Sequence, residues 1–233
     1  MLWLGIDTSN GPLSIALVRD GYVLIEENAT MNIRHSHRAM PVIERLFHEA
    51  DVTPKELDAI AVSEGPGSYT GVRIGVTIAK TLAWTLNKPL IGIPSVKILA
   101  APFYSFDGYI CPIIDARRSN VYTGLYRVKN GQVEEVLSER HTNIEAWLKE
   151  LTETVKAPIL FTGQDVMTYQ EVLQENFGDK LQIAPKRFWA PRATDLVALA
   201  MQRTEEDDVH TFVPEYSRLA EAEANWQKAC KRS

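Results

Sequence analysis

Two similar α/β lobes, the second repeating the first, are the fold this sequence predicts. Three observations point to it. The chain opens on an apolar strand that ends in an aspartate and turns back on itself, from Leu2 through Asp7 to Arg19. The same order of strand, aspartate and returning strand starts again from Ile110 through Asp115 to Val128. Elsewhere apolar residues alternate between helical spacing and short continuous runs, the mark of helices set against buried strands.

With 233 residues, 45% hydrophobic and 24% charged, the chain has apolar side chains enough for one large or two small cores. The stretch from Pro102 to Gly108 mixes proline, aromatics and glycine, and suggests an N-terminal lobe over 1–105 and a C-terminal lobe with a tail over 106–233. The formal charge is −5, whereas a protein that grips nucleic acid by itself needs a basic surplus to neutralise phosphates. An RNA role would pass through a partner, or through short patches such as Arg117-Arg118 and Lys228 to Arg232. No apolar run reaches the ~20 residues of a membrane span. The start, Met1 to Asp7, lacks a basic residue and meets an acid too early for a signal peptide. Cys111 and Cys230 form no Cys-x-x-Cys pair and read as free thiols in a reducing compartment. The expected location is the cytoplasm, with no membrane partner.

Leu2 to Ser9, Leu13 to Arg19 and Tyr22 to Glu27 form a meander, punctuated by Asn10-Gly11 and Asp20-Gly21, pairs that accept positive φ at hairpin turns. From Arg34 to Ala50 the spacing of Ala39, Ile43, Leu46, Phe47 and Ala50 becomes helical, with Pro41 in an early turn or at a kink. Asp58 to Ser63 is a buried strand, Gly65 to Asn87 a glycine loop running into a long helix, and Leu90 to Ile93 another strand before a helix near Ser95. Ile110 to Asp115, Val121 to Val128 and Gln132 to Leu137 repeat the meander, with Asn130-Gly131 in the place of Asp20-Gly21. Such self-similarity points to a duplicated fold. Helix Ile144 to Thr154, strand Ile159 to Thr162, helix Met167 to Asn176, strand Leu181 to Ala184 and helix Ala193 to Thr204 follow, then an extended polar tail from Val213.

Asp7 and Asp115 end buried strands, where an unpaired carboxylate is costly. Either both point into the cleft between lobes, where phosphate and magnesium are handled in two-lobed kinases, or each bonds its own turn. Asp7-Thr8-Ser9, Asp115, Gly65 and Gly67 are thus candidate phosphate-type loops, live or vestigial. The Ser63 to Arg73 segment places a glycine loop at a helix start, a generic anion site. No lysine follows as in a Walker loop, and the glycines do not follow a first strand as in a dinucleotide fingerprint. Gly71, Gly75, Ala79 and Ala83 recur every fourth residue and line one helical face with almost no side chain. That face either packs on its own sheet or, as other apolar residues of the helix suffice for that sheet, makes a close helix–helix contact such as one with a partner subunit, which is the expectation taken. His35, His37 and His48 are not spaced to chelate one ion, His141 and His210 are isolated, and no metal site or catalytic triad is expected.

The Ser-Glu-Gly-Pro-Gly-Ser-Tyr-Thr-Gly run from Ser63 to Gly71 and on through Gly75, with Leu4 to Ser9, Lys88 to Ile93 and Val213 to Arg218, resembles the TsaB family. These are tRNA threonylcarbamoyladenosine biosynthesis proteins, once filed with the glycoproteases. The resemblance spans nearly the whole chain and implies two RNase H-like lobes of the acetate/sugar kinase–actin (ASKHA) superfamily. It implies a non-catalytic scaffold required to place threonylcarbamoyl on the adenosine next to the anticodon. The partners implied are a TsaD-like catalytic subunit, met through the first two helices, a TsaE-like ATPase, a homodimer when alone, and tRNA indirectly. The chain itself would require no cofactor, any nucleotide belonging to the assembled complex. In the catalytic relatives an Asn-His-x-x-x-His-like metal motif follows the corresponding strand; here those histidine positions hold Ser95 and Leu99.

Overall fold

The computed structural model describes residues 1–29 and 35–215. The Tyr216 to Ser233 part of the tail, with Cys230, and the side chains of His35 and His37 lie outside the described residues.

In the first half, β1 (Leu2–Asp7), β2 (Leu13–Arg19) and β3 (Tyr22–Ala29) make an antiparallel meander. Asp20 and Gly21 take φ of 52° and 81° at its second turn, as a two-residue hairpin needs. Asn10 and Gly11 do not adopt positive φ, and the first turn is a wider bend. Helix α1 (His35–Glu49) follows, with Pro41 inside it. β4 (Ala59–Gly65) pairs parallel to β1, and β5 (Leu90–Pro94) parallel to β4. Between them runs α2 (Tyr69–Leu86), started by the Ser68 side chain and stopped by Asn87 in the left-handed conformation. The short α3 (Ser95–Ala100) then leads out.

The second half repeats this plan. β6 (Tyr109–Asp115), β7 (Asn120–Lys129) and β8 (Gln132–Asn143) form the meander, with Asn130 and Gly131 at φ 52° and 76°. Helix α4 (Ile144–Thr154), β9 (Ile159–Thr162), α5 (Gln170–Phe177) and β10 (Gln182–Ile183) complete it. The sheet orders are β3-β2-β1-β4-β5 and β10-β9-β6-β7-β8, the same topology read from opposite edges. β8 runs six residues beyond the expected Leu137, because β7 stays paired as far as Asn120 opposite Asn143. The expected helix from Met167 is a 3-10 turn over Val166–Tyr169 followed by α5.

The two sheets share their connecting helices. Val96 and Leu99 of α3 pack with Ile110, Ile114 and Tyr126 of the second sheet. Helix α6 (Ala193–Ala200) returns to the first sheet, where Leu196 and Val197 pack on Trp3, Ala16 and Ile91. Gly5 makes this possible: a Cβ there would lie 2.7 Å from the Ala193 carbonyl. The strap beyond α6 then bonds the edge of β5, Asp207 N–H donating to the Leu90 carbonyl at 2.9 Å, and buries Phe212 in the first core. No helix among the described residues is long and apolar enough to cross a membrane.

Candidate functional site

β1 is the central strand of its sheet, so its C-terminal end carries Asp7, Thr8 and Ser9 to the point where the lobes meet. All three are buried. Asp7 Oδ1 accepts from Ser9 N–H and from Ser9 Oγ, each at 2.8 Å. Its other oxygen has no hydrogen-bond partner among the described residues. Burial raises the Asp7 pKa above the usual aspartate range, and the two Ser9 bonds and the Ser63 hydroxyl offset only part of that. The glycine loop closes onto this turn from α2. Ser68 N–H donates to the Ser9 carbonyl at 2.7 Å, and Thr8 Oγ1 to the Gly71 carbonyl at 2.7 Å. Ser68 Oγ accepts the Gly71 N–H, so these amides at the helix start serve the chain's own turn. Gly65 is covered by the strap: a Cβ there would lie 2.6 Å from the Glu215 carbonyl.

The small stripe on α2 faces inward, against the expectation that it would meet a partner. Gly71, Gly75, Ala79 and Ala83 are all buried. A Cβ on Gly75 would stand 2.5 Å from Thr8 Oγ1, and one on Gly71 would strike the Thr8 carbonyl. The close approach that such residues permit is between α2 and its own β1. The solvent side of α2 instead carries Tyr69 (55% exposed) and Trp84 (68% exposed).

In the second lobe Asp115 also bonds its own turn, Oδ1 accepting from Arg117 N–H at 3.0 Å and from the Tyr169 hydroxyl at 2.7 Å. Its backbone N–H donates to Asp165 Oδ2 at 2.9 Å. Arg117, Arg118 and Ser119 follow with φ of 66°, 56° and 56°, and with Asp115 and Tyr169 they line an open cleft of about 520 Å³. Burial raises the Asp165 carboxyl, and burial with the Asp115 acceptor pushes the Tyr169 phenol up.

Neither aspartate lines the small cleft beside the Asp7 turn. That cleft lies between Asn10-Gly11 and Gln164-Asp165, backed by Leu99, Ile114 and Trp189, and holds about 210 Å³. Ser95 and Leu99 are buried, Ser95 Oγ 2.7 Å from Ser63 Oγ and Leu99 among Val96, Phe103 and Ile114. Among the described residues no group of three or more His, Cys, Asp or Glu side chains is placed to hold a metal ion.

Sequence reasoning missed a set of carboxyls beside this junction. Glu64 is pushed up to about 7 by burial first and by Glu215 and Asp207 next, with Arg203 opposing. Glu139 is also pushed up to about 7 by burial, against the opposing Tyr126 hydrogen bond, with Glu215, Glu135 and Glu64 adding to the rise. Glu64 sits in the glycine motif, but its burial under the returning strap is invisible locally. Glu139 lies past the point where the third strand was expected to stop.

Two five-stranded lobes with one topology show a duplicated RNase H-like fold of the acetate/sugar kinase–actin type. EutJ, the ethanolamine utilization protein of Carboxydothermus hydrogenoformans, shares that fold at a TM-score of 0.50 with 11% identity, over 85% of this chain and 90% of its own. The model for TsaD, tRNA N6-adenosine threonylcarbamoyltransferase, matches residues 29–226. The tRNA threonylcarbamoyladenosine biosynthesis protein TsaB of Bacillus subtilis is 45% identical over 99% of this chain and 100% of its own length. YeaZ from Pseudomonas aeruginosa superposes with a TM-score of 0.74 at 28% identity, covering 92% of this chain and 99% of its own. The chain belongs to the TsaB family, within the wider group that the TsaD model describes.

Proposed function

We propose that this chain is a non-catalytic scaffold subunit required for threonylcarbamoyladenosine formation next to the anticodon of tRNAs. It acts in a cytoplasmic complex with a TsaD-like catalytic subunit and a TsaE-like ATPase, and meets tRNA through them. The observation that carries this reading is the packing at Ser95 and Leu99. One is a buried hydroxyl bonded to Ser63, the other a buried apolar side chain, and neither replaces an imidazole ligand.

The partner face of the first lobe is the outer side of α1 and α2, where Met40, Tyr69 and Trp84 stand exposed. The same face serves the homodimer. With tRNA, ATP and an activated threonylcarbamoyl donor supplied, a mixture of the two partners should form the modified base only when this chain is added. Turnover by the metal-supplemented chain alone would overturn the proposal, and so would undiminished formation without it.

A further inference from the structure

Asp7 Oδ1 is satisfied twice over by Ser9, while Oδ2 has no partner in a side chain that is 0% exposed. Among the described residues, the groups that act on the carboxyl are the Ser9 amide and the hydroxyls of Ser9 and Ser63, none of them charged. The Ser63 hydroxyl is near enough to act on the carboxyl, and it lies 2.7 Å from Ser95 Oγ. A dehydrated carboxylate with an unmet oxygen and no cation is among the costliest groups to bury. A carboxylic acid in the same place supplies on that oxygen a donor, which a serine hydroxyl can accept.

We infer that Asp7 is held as the neutral acid, with its proton on Oδ2 directed at Ser63. The result is an uncharged Asp7–Ser63–Ser95 chain that ties the ends of β1 and β4 to the start of α3. Burial outweighing the Ser9 bonds favours that protonated form. The inference rests on the first lobe alone and stands apart from the scaffold assignment.

Infrared difference spectroscopy of the full chain against Asp7→Asn at pH 7.5 tests it. The expected result is loss of one protonated-carboxyl band; Glu64 and Glu139 remain in both proteins and cancel. Ser63→Ala keeps the carboxyl and removes its acceptor, so the band should shift and persist, which also serves if Asp7→Asn fails to fold. Denaturant unfolding at pH 5 and pH 8 gives a second reading. Unfolded Asp7 ionises near its ordinary value, so rising pH favours the unfolded wild type. The advantage of Asp7→Asn should therefore grow up to about tenfold in folding constant per pH unit, until the folded acid itself ionises. The inference is overturned if no band is lost, if the band ignores Ser63→Ala, or if the stability gap stays flat or shrinks with pH. Stabilisation of the wild type but not Asp7→Asn by K⁺ or Mg²⁺ would also overturn it, by showing that Oδ2 belongs to a cation.

Discussion

Asp7 and Asp115 occupy the same place in two copies of one topology, and each accepts the backbone N–H two residues on. Their surroundings differ. The first turn is sealed by the glycine loop and by α2, whose small face lets Thr8 and Ser9 touch helix backbone. The second is half-open, with Tyr169 rather than a helix start closing over it. A duplicated fold thus repeats hydrogen-bond geometry more faithfully than it repeats electrostatics. The local turn is set by two or three residues, whereas charge depends on everything that covers them.

The largest test of that contrast is Gly75→Leu. New side-chain atoms would have to displace Thr8 and Val62 in the first sheet. The cost should exceed the ~1–3 kcal/mol of ordinary overpacking, with loss of helicity and a collapsed thermal transition. Val172→Leu on α5, the topological counterpart of α2, should stay within about 1.5 kcal/mol, because Val172 is only partly buried. A native circular dichroism spectrum with a broken dimer in Gly75→Leu would restore the partner-face reading.

Next come the two glycines that leave β4 and β9, at φ 108° and 115°. An alanine at either pays roughly 1–2 kcal/mol of left-handed strain. At Gly163 it also strikes the Ile113 carbonyl, fixed inside β6, whereas at Gly65 it meets only the strap at Glu215. Gly163→Ala should therefore be the more destabilising in denaturant melts, and Gly65→Ala should mainly raise proteolytic cleavage near Glu215. Equal stability losses would sink the distinction.

Smaller again is the effect of Glu64. Its folded pKa of about 7 lies above the ordinary 4.5, so the folded chain binds a proton that the unfolded chain releases. Stability should fall as pH rises from 4.5 through 7 and then level off, by roughly 1–3 kcal/mol. Glu64→Gln should flatten part of that slope in melts taken at several pH values; an unchanged slope would remove Glu64 as its source. The smallest expected effect is Tyr169→Phe, which removes one donor to a solvent-reachable Asp115. It should cost about 1 kcal/mol in thermal melts, and a neutral outcome would show that the Arg117 N–H holds the Asp115 carboxyl without the tyrosine.

The sequence was most legible where local chemistry decides. Asp20-Gly21 and Asn130-Gly131 marked real hairpin turns, and α4 and β9 have the expected bounds, α4 being fixed by Asn143 capping two amides. The repeated aspartate announced the duplicated topology. What periodicity could not reveal was direction. The four small residues of α2 define a face, but only three-dimensional proximity to Thr8 shows that it looks inward. The apolar run from Ala193 likewise marks a buried helix without naming the sheet it covers. The charge state of Asp7 and the raised carboxyls of Glu64 and Glu139 depend on such long-range coverage.

The return of α6 and the strap has a consequence for manufacture on the ribosome. The first sheet is translated early, yet the helix that covers Trp3, Ala16, Ala61 and Ile91 is among the last described segments to emerge. A nascent chain that has completed only β5 therefore displays a bare apolar sheet face. The usual order, in which an N-terminal unit folds while the rest is still being made, is closed to this chain. The earliest strands must wait for the last helix among the described residues.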